Sequence, residues 1–148
     1  MATFPAGCTL VFGGSGGIGS GVARAFAEAG SDVALVYRSQ ASPAQDAAKQ
    51  ARAVGRKASI HAADVTDPGR LRAAIDEAIT EHGRIHSVVW GAGPLVNQRY
   101  LSEIPMEEWR QAFAVEVHGL FTAIQLLLPH MRAMGGGSFV HLGSAGHD

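Results

Sequence analysis

The segment VFGGSGGIGSG, residues 11–21, constrains the fold of this chain more than any other. An apolar run at 8–12 feeds straight into glycines at 13, 14, 16, 17, 19 and 21, and a helical pattern follows. Glycine is needed where a chain turns sharply and where backbone must approach a ligand closely, and the helix behind offers unpaired N–H groups and the positive end of its dipole. Three spacings fit. Gly14, Gly16 and Gly19 give G-x-G-x-x-G; Gly13, Gly16 and Gly19 give G-x-x-G-x-x-G; Gly13, Gly17 and Gly19 give G-x-x-x-G-x-G. Placed between a strand and a helix, each reads as a phosphate-binding loop.

The rest of the chain repeats the strand-then-helix rhythm. Short runs rich in Val, Ile, Leu or Phe at 8–12, 33–37, 58–62, 85–90 and 139–142 read as buried strands. Helical patterns lie between them: 17–29, with Ile18, Val22, Phe26 and Ala29 near one face, and 68–82, which stacks Leu71, Ile75, Ala78 and Ile79. Asp67 and Pro68 start the second of these with a capping side chain and a residue whose missing N–H costs nothing there. A long helix is predicted over 105–134, with Phe113, Val117, Leu120, Phe121, Ile124, Leu127, Leu128 and Met131 as its apolar positions, bent or ended by Pro129 and broken by glycines 135–137. Strict alternation implies a doubly wound parallel α/β sheet of Rossmann type in one domain over 1–148. In such sheets ligands bind beyond the carboxyl ends of the strands, where the strand order reverses.

The loop after the second strand bears on the ligand. About twenty residues beyond the glycines, an acidic side chain would hold the ribose hydroxyls of NAD, and an arginine would accept the 2′-phosphate of NADP. The chain reads LVYRSQ, with Arg38 and Ser39 at the strand end; Asp32 lies at the other end of the strand and Asp46 in the next helical region. A guanidinium fork beside a hydroxyl suits a phosphate dianion, so NADP(H) is expected over NAD(H).

Other classes of partner are not indicated. The 12 basic and 13 acidic residues form no long run of one sign, which argues against nucleic acid and anionic membrane surfaces. A single cysteine, Cys8, makes no internal disulfide and fits a reducing compartment. The start lacks the pattern of a signal peptide, and no apolar stretch of about 18 residues is expected to span a bilayer, so a cytoplasmic protein without membrane contact is expected. His82 and His86 have i, i+4 spacing but straddle a glycine and a strand start, so no metal site is expected; His118, His130, His141 and His147 show no ligand spacing either. His141 is expected to be a packed histidine. In the loop 94–105, Asn97, Arg99 and Tyr100 read as ordinary surface residues.

Four segments together resemble the classical short-chain dehydrogenases/reductases, over essentially the whole chain. FGGSGGIG at 12–19 is similar to that family's TGxxxGxG motif, with Phe12 in place of Thr. AADVTD at 62–67 resembles its adenine-contacting segment, HGRIHSVVWGAG at 82–93 its GRID…VNNAG run, and LLLPHMRAMGGGSFVHLGSAG the stretch ending in the catalytic strand. The resemblance implies that Gly13, Ser15, Gly17, Ile18 and Gly19 hold the cofactor phosphates, with Arg38 and Ser39 at the adenosine ribose. It also puts Asp64 on the adenine amino group, Val65 against the ring, and Gly91, Ala92 and Gly93 beside the ribose. It implies an oxidoreductase interconverting a small carbonyl and a secondary alcohol, with Ser144 as the catalytic serine, and a dimer or tetramer joined through the long helix in the full-length protein.

The departures are as specific. Trp90 and Gly91 stand where the family has two asparagines, and Glu116, in VEVHG, stands where an asparagine supports the catalytic lysine. The family's Y-x-x-x-K motif should follow Ser144. Here the tyrosines are Tyr37 and Tyr100 and the lysines Lys49 and Lys57, none in that relation. The expectation is a chain truncated after its fifth strand, with that strand as an exposed sheet edge and inactive alone. A module that binds NADP(H) as a sensor or regulator, without catalysis, is the alternative.

Overall fold

The structure, a computed structural model, describes residues 4–94 and 99–143. Its elements follow in the order β1 (Cys8–Phe12), α1 (Gly17–Glu28), β2 (Asp32–Tyr37), α2 (Ala41–Ala53), β3 (Ala58–Ala62), α3 (Pro68–His82), β4 (Ile85–Trp90), α4 (Met106–Phe113), α5 (Leu120–Ala133) and β5 (Ser138–His141). All strand pairs are parallel, and the sheet runs β3-β2-β1-β4-β5. This is the doubly wound Rossmann-type α/β sheet. The order reverses between β1 and β4, which fixes where a ligand cleft belongs.

Alternate strand residues point to opposite faces and so build two cores. On one face Leu10, Phe12 and Trp90 pack with Leu71 and Ile75 of α3 and Ala123 and Leu127 of α5. On the other, Val11, Val33 and Leu35 meet a lining of alanines, Ala23 and Ala27 of α1 and Ala47, Ala48 and Ala51 of α2. Small side chains let these two helices lie close to the sheet. They also explain why α2 has no clear bounds in the sequence: an alanine row gives little hydropathy contrast.

The same closeness corrects the expected face of α1. Its buried row is Gly19, Ala23 and Ala27, while Ile18 is 73% exposed, Ala29 is exposed and Val22 and Phe26 only edge the core. In α3 the expected start holds: Asp67 accepts from the N–H groups of Gly69 at 2.9 Å and Arg70 at 3.1 Å, with Pro68 in the first turn.

The long helix is continuous over Met106–Ala133 but contains a π turn at Ala114–Gly119 between α4 and α5. Gly119 lies against the carbonyl oxygen of Val65, 2.9 Å from where a Cβ would stand, so this turn packs on the loop after β3. Pro129 neither ends nor breaks the helix. By length and composition the stretch is apolar enough to cross a membrane, contrary to the expectation that no such run exists. Here Val115, Gly119, Ala123, Leu127 and Met131 are its buried row, while Phe113, Val117, Phe121 and Leu128 are exposed. The row of large side chains read from the sequence therefore combines two faces. β5 is the edge strand, with Ser138, Val140 and His141 exposed; His141 is not packed as expected.

Candidate active site: the cleft at the switch point

The cleft opens at the carboxyl ends of the strands, where the order reverses between β1 and β4. Gly13, Ser15 and Gly16 form one wall, Arg38, Ser39 and Gln40 another, Ala63, Asp64 and Val65 a third, and Gly91, Ala92 and Gly93 the fourth. Its volume of about 320 Å³ lies within the range of small-molecule sites.

The glycine loop is shaped by close backbone contacts and by the Leu35 side chain beneath Gly14. The Val36 carbonyl accepts from the N–H groups of both Gly13, at 3.0 Å, and Gly14, at 2.9 Å, which ties the loop to the end of β2. Gly13 has a φ of 78°, a conformation that favours glycine, and a Cβ there would stand 2.6 Å from the Gly91 carbonyl oxygen. A Cβ on Gly14 would meet Leu35, and one on Gly19 would run into the carbonyl of Gly13. The helix behind starts at Gly17 with Gly16 as a cap that has no side chain, and no acidic side chain lies in its first turn. The leading N–H groups of α1 thus face the cleft end without a side-chain acceptor, an arrangement suited to a pyrophosphate.

Across from the loop, Arg38 and Ser39 are exposed at the cleft rim, and Arg38 has no carboxylate partner within ion-pair distance among the described residues. The acidic residue among those lining the cleft is Asp64. Its Oδ1 accepts from the Thr66 hydroxyl at 2.7 Å and the Thr66 N–H at 2.9 Å, and these bonds hold its carboxyl below the usual range, with a further small contribution from Arg38. Asp64 is therefore a fixed carboxylate.

The fourth wall departs from the asparagines of the resembling family in a visible way. Trp90 is fully buried, its ring tilted on Phe12 with centroids 4.8 Å apart, and its Nε1 has no partner among the described residues. Gly91 donates its N–H to the Phe12 carbonyl at 3.0 Å. Aromatic packing and a backbone bond link β4 to β1 at the two positions where the resembling family carries asparagines.

Of the residues read from the sequence, Gly13, Ser15, Arg38, Ser39, Asp64, Val65, Gly91, Ala92 and Gly93 converge on the cleft. Gly17, Ile18 and Gly19 form the first turn of α1 at its edge. Glu116 is exposed on the π turn, its Oε1 3.5 Å from where a Cβ on Gly93 would stand, so it reaches the end of the cleft lined by β4. Ser144, like Asn97 and His147, lies outside the described residues. The sequence reading missed Gln40 and Ala63 on two walls and Val115 beside the fourth. Ala63 and Val115 each adjoin a residue that was singled out, so the signal was there in their position. Among the described residues no group of His, Cys, Asp and Glu is placed to hold a metal ion.

A family model described as short chain dehydrogenase matches residues 7–147. A probable galactose dehydrogenase from Rhizobium meliloti is 33% identical over 135 residues, which are 91% of this chain and 52% of that protein. An L-rhamnose 1-dehydrogenase (NAD(P)(+)) from a Sphingomonas species is 32% identical over 136 residues, 91% of this chain and 53% of the relative. A solved short-chain type dehydrogenase/reductase from Mycobacterium marinum superposes with a TM-score of 0.85 at 34% identity, over 93% of this chain and 56% of that one. The chain thus spans about half the length of these relatives. With a glycine loop at a parallel-sheet switch point and a family match over nearly its whole length, the chain belongs to the short-chain dehydrogenase family.

Proposed function

We propose that the cleft binds a nicotinamide dinucleotide, NADP(H) in preference to NAD(H), and that the whole protein uses it to interconvert a small carbonyl and a secondary alcohol. The observation that carries the cofactor choice is the second wall: Arg38 and Ser39 line the end of β2, where an NAD-preferring site would present a carboxylate.

The residues fit such a ligand. The glycine cradle has no room for side chains at Gly13 or Gly19, and the start of α1 suits the pyrophosphate. Arg38 and Ser39 take the 2′-phosphate. Asp64 keeps one oxygen on Thr66 and offers the other to the adenine amino group, with Val65 against the ring and Gly91, Ala92 and Gly93 along the ribose. The bound nicotinamide would supply or accept the hydride. Ser144 donates a hydrogen bond to the substrate oxygen, and Glu116 holds a basic group near the β4 end of the cleft.

A second reading has its own observation. No tyrosine within these 148 residues has a lysine four positions on, so the proton donor is not among them. A binding module that senses NADP(H) would need none. Exposed Trp109, Phe113, Val117 and Phe121 support self-association through α4 and α5, and unpaired, buried Cys8 fits a cytoplasmic protein.

Calorimetric titration of NADPH and NADH into the wild-type chain and Arg38→Asp tests the assignment. The wild type is expected to favour NADPH and the variant to lose that preference; an unchanged preference would refute the role of Arg38. Turnover by a protein containing this chain, lost in Ser144→Ala, separates the enzyme from the sensor.

A further inference from the structure

A second polar centre lies between β3 and α3, apart from the cleft. Ser59 and His61, two positions apart on β3, point to one face and meet Glu77 and His82 of α3. His61 Nδ1 lies 3.1 Å from Glu77 Oε2, His61 Nε2 lies 2.8 Å from Ser59 Oγ, and Ser59 Oγ lies 2.9 Å from His82 Nε2. Ser59 and His61 are buried, whereas Glu77 is solvent-exposed. Carboxylate, imidazole and hydroxyl stand in the order of a hydrolase triad. A second imidazole on the same hydroxyl, and 5% exposure at Ser59, leave it no place as a nucleophile.

The proton order follows from donors and acceptors. Glu77 as a carboxylate only accepts, so His61 carries its hydrogen on Nδ1, and Nε2 of the neutral ring then accepts from Ser59. Ser59 has one hydrogen to give. Its oxygen therefore accepts from His82 Nε2–H, and His82 Nδ1 is left as a bare lone pair, buried and without a partner among the described residues. With both rings neutral each hydrogen has one position, and the lone pair left over is that of His82 Nδ1. A proton added at His82 Nδ1 becomes a buried N–H without an acceptor among the described residues.

We propose that this network is a pH-sensitive latch: with His82 neutral it clamps α3 to β3, and acidification that protonates His82 opens it and loosens the cleft wall of Ala63, Asp64 and Val65. Burial holds the His82 pKa below its ordinary value, and the Lys57 ammonium adds to that effect. Asp32 and Glu81 oppose it, and His61 acts with Lys57. Lys57 is itself fixed, its ammonium on the Glu81 carbonyl and its N–H on Asp32 Oδ1 at 2.9 Å. The coupling to the wall is covalent, since β3 runs directly into Ala63, whose N–H binds the Tyr37 carbonyl at 2.9 Å. Control of nucleotide affinity rests on the proposed function; the latch itself does not.

Two NMR measurements on the wild-type chain test it. At about pH 7.5 the ring nitrogens are expected to show His61 protonated on Nδ1 and His82 on Nε2, and the opposite tautomer on either ring would overturn the proposal. Between about pH 7.5 and 5.5, amide protection at Ala63, which follows β3, should fall about tenfold more than at Gly14, which follows β1 and also bonds to β2, and His82→Gln should abolish most of that difference. Parallel loss at both amides would contradict it. If the latch behaves as expected but NADPH fails to bind at either pH, the nucleotide reading fails and the latch stands.

Discussion

A Cβ atom on Gly13 would stand 2.6 Å from the carbonyl oxygen of Gly91, so the loops after β1 and β4 touch backbone to backbone at the switch point. Gly13→Ala must both adopt a φ of 78° and displace a carbonyl. A loss of about 2–4 kcal/mol in urea-denaturation stability is expected, combining backbone strain with a steric shift. Gly17 in the same loop has open space around it, and Gly17→Ala should change stability by less than about 1 kcal/mol, in the stabilising direction for a helical position. Equal effects at the two positions would contradict this account of the cradle.

Stability should fall on acidification. Burial is the first cause lowering the pKa of His82, His86 and His130 from 6.5, and the Ile85 N–H donates to His130 Nε2 at 3.1 Å, a bond that needs the neutral ring. Because the folded pKa values lie below the unfolded one, the unfolded chain binds more protons as pH drops. The contribution is complete above about pH 6.5 and is lost as pH falls through the folded values. Urea midpoints from about pH 7.5 down to 5 should show a plateau and then a decline, shallower in His130→Gln, whose amide oxygen can still accept from Ile85.

Cys8 is fully buried and its thiol is pushed up to about 12, first by desolvation and then by Asp32. Labelling with a thiol reagent at about pH 8 should be negligible in the folded chain and complete in denaturant. Rapid labelling of the native chain would mean that β1 is not buried as described.

The exposed row Trp109, Phe113, Val117 and Phe121 leads to a prediction about assembly. Phe121 is 59% exposed, so Phe121→Glu should leave the unfolding midpoint within about 0.5 kcal/mol while shifting the light-scattering mass towards the monomer. A monomeric wild type would contradict self-association through this face.

Much of the sheet and of the cleft was legible in the sequence because short β-branched runs, the glycine loop and Asp67-Pro68 each encode one local structure. The bounds of α3 came out as Pro68–His82, fixed by a cap and a terminal glycine. What was not legible depended on distance in space. Ile18 carries apolar weight yet stands exposed, because Gly19 must abut the Gly13 carbonyl and the helix therefore turns its small residues inward. The π turn at Ala114–Gly119 comes with Gly119 packed on the Val65 carbonyl, a contact that no periodicity shows. The Ser59, His61, Glu77 and His82 network needed β3 and α3 side by side before its spacing had meaning.

The most direct test of the central claim is calorimetric titration with adenosine 2′,5′-bisphosphate and with 5′-AMP, which differ by the phosphate assigned to Arg38 and Ser39. The bisphosphate is expected to bind at least about tenfold more tightly, roughly 1.4 kcal/mol, and Arg38→Asp to remove most of that margin. Equal affinities in the wild type, or no binding of either, would contradict it.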